Sequence, residues 1–237
     1  MPSRSKPKPA ARGAKTADRI YHRLINSIVS GEIETGVPFR EAYFAQRWGV
    51  SRTPIREAVR RAAETGFLIL RRNRAPLIRS FSPEEIAALY ELRQCLEGLA
   101  LKLAFPRLSA RAIAEVEQLA AASLREQDTD WAETCLEFDR RLHQLWSAAC
   151  GNPWLTDSLT RLWNFIRILQ RYMARDPALV RQSAQEHREI LRAVAAGDRR
   201  TAAHALARHI RVSGAAVATA FGRRGGSGQP RAQAATS

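Results

Sequence analysis

The chain has 237 residues, 45% hydrophobic and 26% charged, enough for one large domain or two ordinary ones. Its net charge of +15 is uneven: residues 1–80 hold 17 Lys/Arg against 6 Asp/Glu, residues 81–237 hold 21 against 17, so the N-terminal third is expected to meet a polyanion. No apolar run is long enough to span a membrane, no secretory core opens the chain, and three scattered cysteines (Cys95, Cys135, Cys150) form neither a disulfide frame nor a zinc knuckle, so a cytoplasmic protein with reduced thiols is expected.

Residues 1–15 are basic, rich in Pro, Ala and Ser and without apolar period, which predicts a disordered arm able to touch phosphates. From Thr16 a stripe of Ile20, Tyr21, Leu24, Ile25, Ile28 and Val29 predicts a helix ending at Gly31. A turn-rich link, Thr35-Gly36-Val37-Pro38, leads to a short helix over Glu41–Trp48, ended by Gly49. Ser51 then stands at an N-cap position and Pro54 in a first turn, where its missing N–H does little harm. Ile55, Ala58, Val59 and Ala62 share one face of the helix that follows, and Arg52, Arg56 and Arg60 recur every four residues beside it. Alone, such a row is most often a solvated surface. Beyond Gly66, however, Phe67–Leu70 and Leu77–Phe81 flank Arg71-Arg72-Asn73-Arg74, a hairpin with a basic tip. Three helices and that hairpin predict a winged helix-turn-helix over residues 16–81, whose third helix offers guanidinium groups to guanine O6 and N7 in a major groove.

Ser82-Pro83-Glu84-Glu85 is a strong helix start, and everything to about residue 221 reads as helix. Six segments, near 83–106, 109–127, 130–150, 153–174, 177–196 and 198–220, are joined by short links and predict a compact all-α bundle. The last stretch, 222–237, is flexible by composition. The expected fold is thus mainly α: a winged helix with a small β-hairpin, then a six-helix bundle.

Within the bundle, Asp139 and His143 are spaced i, i+4 on a face that also carries Cys135, Leu142, Trp146 and Ala149. His187 lines up with Leu191 and Val194, and His209 with Ala205, Leu206, Val212 and Ala216. One such histidine is most simply a hydrogen-bonded core imidazole. Three with an aspartate would each carry a desolvation penalty that one divalent cation relieves. His22 and His204 lie outside this set. Trp146, Trp154, Trp163 and Phe165 are expected in the core.

The order of elements resembles a bacterial GntR-family transcription regulator, with a helical half of the FCD type found in the FadR subfamily and a helix count fitting its VanR-like group. The resemblance covers residues 16 to about 220. It is carried by Gly49-Val-Ser-Arg-Thr-Pro-Ile-Arg-Glu-Ala58, Gly31, Gly36, Gly66, Arg93-x-x-x-Glu97, Asp139-x-x-x-His143, Gly151-Asn152-Pro153, Glu186-His187 and His209-Ile210. It implies a ligand-responsive DNA-binding regulator, a repressor in the leading reading, acting as a homodimer on a pseudo-palindromic operator. Arg52 and Arg56 would read bases, Ser51 and Thr53 hold phosphates or help, and Arg60, Arg72 and Arg74 add sequence-independent affinity. It also makes a divalent metal (Zn, Ni, Mn or Fe) on Asp139, His143, His187 and His209 the favoured reading. A small carboxylate effector would lie beside that metal, met by Arg93, Arg167 or Arg171; Arg93 could equally bridge to Glu97. The chain departs from the family pattern at Thr35-Gly36, where Pro-Gly is usual, at Ala42, where some members place Arg, and at Ala75-Pro76. There the wing usually carries Gly, and Ala adopts positive φ less readily, which weakens the expected wing contact. The rival functions are a metal-dependent hydrolase and an architectural DNA-binding protein without effector. The first lacks a base-bearing motif, and the second leaves the four polar residues without a purpose.

Overall fold

A computed structural model describes the chain over residues 9–225, with side chains over 16–222. It divides into two compact units: residues up to Ser80 together with Asn164–Arg171, and Phe81–Trp163 together with the chain from Tyr172.

In the first unit, α1 (Pro9–Ser30), α2 (Glu41–Trp48) and α3 (Arg52–Glu64) precede a hairpin of β1 (Leu68–Arg71) and β2 (Arg74–Ile78). The helix of α1 starts at Pro9, so it takes in part of the arm expected over 1–15; residues 1–8 of that arm lie outside the described residues. The core forms where the three apolar faces meet: Ile20, Leu24 and Ile28 of α1, Phe44 and Trp48 of α2, Ile55, Ala58, Val59 and Ala62 of α3, closed by Phe39, Phe67 and Ile78. Phe39 and Phe44 stack at 4.4 Å between ring centroids. Gly49 ends α2 in the left-handed region (φ 65°), and the chain turns within two residues into α3. Gly66 (φ 85°) does the same after α3, with the Phe165 ring so close that a Cβ there would lie 2.6 Å from it.

The wing differs from its expectation. The second strand begins at Arg74 rather than Leu77, pairing Arg71 with Arg74, Ile69 with Leu77 and Leu68 with Ile78. The tight turn is made by Arg72-Asn73, and Asn73 takes the left-handed conformation (φ 55°), which Asn tolerates well. Ala75 is therefore spared that demand. Its carbonyl instead accepts from the Arg71 guanidinium at 3.0 and 2.7 Å, and the Pro76 carbonyl accepts from the Phe39 N–H at 2.7 Å.

The second unit is built on six helices: α4 (Pro83–Ala104), α5 (Ala110–Ala122), α6 (Trp131–Ala149), α7 (Pro153–Met173), α8 (Pro177–Ala195) and α9 (Arg199–Gly225). A capping box starts α4, Ser82 accepting from the Glu85 amide and Glu85 from the Ser82 amide. α4 packs on α6 and α9, α8 on α6 and α9, and α5 on α6 and α8. α9 runs to Gly225, past the expected boundary at 221; residues 226–237 lie outside the described residues. Trp154 corrects another expectation: it is 83% exposed, because Leu155, Leu159, Leu162 and Ile166 take the buried face of α7 and leave position 154 outside. Trp146 is fully buried as expected, while Trp163 and Phe165 are half-buried. Among the described residues no helix is long and apolar enough to cross a membrane.

Candidate metal centre and nucleic-acid interface

The buried side of α3 leaves Arg52, Arg56 and Arg60 exposed on the other. Arg56 Nε donates to Glu41 Oε2 at 3.3 Å, so a carboxylate at the start of α2 steadies one guanidinium of the row. Arg60 pairs with Glu64 at 2.7 Å within the helix. Ser51 occupies the N-cap with extended backbone, but its side chain makes no capping hydrogen bond. Ser51 and Thr53 are both exposed there, beside the amides of a first turn whose partial positive charge suits an anion. Arg72 and Arg74 are exposed at the tip of the wing.

In the second unit α6, α8 and α9 each direct one imidazole inward, because each histidine falls in the apolar stripe of its helix. His143, His187 and His209 are 0%, 1% and 1% exposed. Their Nε2 atoms converge: His143 to His187 at 3.3 Å and His187 to His209 at 3.0 Å, with ligand atoms of all three within 4.8 Å of one another. The opposite nitrogens explain that orientation. His143 Nδ1 meets Glu97 Oε2, and His209 Nδ1 meets Glu186 Oε2 at 2.9 Å. A carboxylate accepting from Nδ1–H fixes the tautomer in which the Nε2 lone pair faces the centre. Asp139 stands beside the cluster, its oxygens 3.9 Å from His143 Nε2 and 3.8 Å from His187 Nε2.

Protonation does not resolve this crowding. Burial, then the Arg93 charge, holds His143 well below the usual imidazole value of 6.5, and burial followed by the neighbouring imidazoles does the same for His187. Burial also lowers His209, against the pull of Glu186. Three neutral imidazoles sharing one point can satisfy only some of their nitrogens, and the buried His187 Nδ1 has no hydrogen-bond partner. A buried, neutral, three-nitrogen set with a carboxylate at its edge fits a divalent cation.

Arg93 on α4 is 2% exposed and held by Glu97 at 2.7 Å, which is 1% exposed. Burial alone would pull the Arg93 charge down, but the charges and hydrogen bond it meets from Glu97, Tyr90 and Asp139 together outweigh it and raise its value. Its Nη2 lies 3.1 Å from His143 Nε2, and its guanidinium sits over the rings of Trp163 and Tyr90 at 4.7 and 5.4 Å. Arg93 therefore bridges to Glu97, as one of its two readings has it, and also reaches the histidines. Arg171 is engaged elsewhere, donating to the Ile28 carbonyl at 3.0 Å and the Thr35 hydroxyl at 3.1 Å in the first unit. Arg167 also falls in the stretch of α7 that groups with the first unit. The structure thus brings Asp139, His143, His187, His209 and Arg93 together. The sequence reading missed Glu97 and Glu186 as anchors of the imidazoles, and Trp146, whose Nε1 donates to Glu97 at 3.0 Å. Adjacency to His187 was the signal for Glu186; for Glu97 it was a carboxylate one turn after Arg93, in line with Ile86, Tyr90, Ala100 and Leu101.

Residues 88–212 match the FCD domain model, and residues 16–78 match the model of bacterial regulatory proteins of the gntR family. The chain is 28% identical over 205 residues to a probable D-xylose utilization operon transcriptional repressor of Paenarthrobacter nicotinovorans, covering 82% of this chain and 85% of that protein. It is 30% identical over 131 residues to an uncharacterized HTH-type transcriptional regulator of Agrobacterium vitis, covering 52% of this chain and 74% of that one. The fold is similar to that of E. coli McbR/YncC, with a TM-score of 0.72 at 21% identity over 87% of this chain and 98% of the other.

Proposed function

The chain belongs to the gntR family of bacterial regulatory proteins and carries an FCD domain, and from that premise we propose a repressor whose helical unit binds one divalent cation and a small carboxylate. Members of this family are transcription regulators and not enzymes, which sets the hydrolase reading aside. The observation that carries the proposal is the convergence of three buried, neutral imidazole Nε2 atoms in the unit attached to an arginine-bearing winged helix.

His143, His187 and His209 would hold the cation, with Asp139 at its edge; the donor set admits Zn, Ni, Mn or Fe. The bound cation supplies a Lewis-acidic point for a carboxylate. Arg93 now donates toward the His143 nitrogen that a cation would claim. With that nitrogen given to a cation, the Arg93 guanidinium would be left with donors for an incoming carboxylate, for which its planar fork is well matched. On the DNA side, Arg52 and Arg56 read base edges, Ser51 and Thr53 hold phosphates, and Arg60, Arg72 and Arg74 supply affinity without sequence information. Two copies on a pseudo-palindromic operator would place two α3 helices in successive major grooves. An effector releases DNA only if it binds the competent and incompetent states differently. Similarity to a relative described as a probable repressor supports the sign of the response.

The test is a thermal-shift screen of small carboxylic and sugar acids on metal-loaded protein, followed by operator binding. A hit should raise the melting temperature, lose that effect in His187→Ala, and weaken DNA binding. A hit that shifts His187→Ala equally would remove the carboxylate from the metal centre.

A further inference from the structure

Between α5 and α6 lies a groove of about 380 Å³, within the usual span of small-ligand clefts, about 300–1,000 Å³. Ala112 and Val116 stand one turn apart on α5, and Arg141, Leu145 and Ala148 follow at the same kind of spacing on α6. Leu108, Val116 and Leu145 form an apolar floor, and Ala112 and Ala148 are too small to close the space above it. The rim is basic. Arg141 reaches across to Glu115 at 3.6 Å, but Glu115 also accepts from Arg111 at 3.2 Å, so one carboxylate serves two guanidinium groups. Just before α5, Arg107 stands beside the end of α6. Its Nη1 donates to the Leu103 and Cys150 carbonyls at 2.7 and 3.4 Å, and a Cβ at Gly151 would lie 3.1 Å from its Cζ, so this guanidinium is held in place. Among the described residues no carboxylate pairs with it.

We propose that this groove is a second ligand site, taking a small amphipathic anion: one carboxylate on a short hydrocarbon body. Three guanidinium groups against one carboxylate leave positive charge to be met, and the planar fork of Arg107 or Arg141 suits a carboxylate. The apolar floor selects the hydrocarbon, which a bare inorganic anion or a polar sugar would leave unused. The Arg141–Glu115 bridge at one end and Arg107 at the other confine the groove to about two turns of each helix, too short a bed for a partner helix. The site is distinct from the imidazole cluster. α6 turns Asp139 and His143 inward and presents Arg141, Gln144 and Ala148 on its opposite face, so one helix forms a wall of both. An anion bound here needs no cation, and it fixes the helix that carries His143.

Equilibrium dialysis of the full, chelator-treated chain against radiolabelled octanoate tests this without the cation centre, so its result and that of the metal reading are separable. One saturable site per chain is expected. The parent should bind 1-octanol more weakly than octanoate, and octylammonium more weakly still. A112W/A148W fills the groove and should abolish octanoate binding with helical content unchanged; A148W alone, at an exposed position, should weaken it. R141Q should weaken octanoate by ~10-fold, the worth of a charge-assisted hydrogen bond, and leave 1-octanol where it was. A parent with no saturable octanoate site overturns the proposal. So does octanoate binding that survives A112W/A148W unchanged, which would place the ligand elsewhere. 1-Octanol or octylammonium binding as tightly as octanoate overturns the choice of an anion.

Discussion

His187 is the residue on which the second unit turns. Its Nε2 sits 3.3 Å from His143 and 3.0 Å from His209, and its Nδ1 is buried without a partner. Without a cation the three imidazoles have lowered proton affinities, so the unfolded chain takes up protons near pH 6.5 while the native chain does not. Stability is then full above 6.5 and is lost progressively as pH falls below it toward the lower native values. Glu97, pushed up by burial against the opposing charge of Arg93, works the other way, since its native carboxyl holds a proton more readily than the unfolded one. Melting of chelator-treated protein should accordingly fall as pH drops below 6.5, and a pH-independent melt through that window would remove the buried neutral histidines. At the other unit, Arg52→Ala or Arg56→Ala should lose about 1–3 kcal/mol of specific binding and relax base preference. Arg56 is steadied by Glu41 at 3.3 Å, so Glu41→Gln should loosen the same readout more mildly. Unchanged operator affinity in both arginine variants would remove α3 as the reader.

At the scale of elements, the helix-turn-helix was legible because its periodicities are strong and its punctuation is local: Gly49 and Gly66 both end helices where expected. The wing was legible as an element but not in register. Nothing in Ala75-Pro76 shows that Asn73 takes the left-handed turn; only the pairing of Arg71 with Arg74 reveals it. With the tip formed by Arg72-Asn73, Arg72→Ala and Arg74→Ala should each reduce the salt slope of DNA binding by ~1 and weaken all sequences alike. A base-dependent loss would instead mean that the wing reads sequence. The histidine faces were legible from their spacing within three helices. Their anchors were not, because Glu97 and His143 are 46 residues apart and join only when α4 packs on α6. Arg171 misled for the same reason: sequence shows a basic helix face, while the fold commits that side chain to Ile28 and Thr35. Trp154 misled because a large aromatic after Pro153 reads as core until its neighbours Leu155 and Leu159 occupy that side.

For the whole molecule, the uneven charge and the two-unit division agree. The basic third folds around an apolar core and carries the arginine row on its outside, and the less charged remainder encloses a polar centre that neither hydrophobic packing nor protonation explains. A regulator needs both, since a winged helix alone binds DNA without a signal and a bundle alone senses without an output. The cation is what joins these features. Elemental analysis of purified full-length chain should find about one divalent ion per protein, and His187→Ala, still folded, should lose it. A folded parent that carries no cation and takes up none when Zn, Ni, Mn or Fe is supplied, or a His187→Ala protein that keeps its ion, would contradict it.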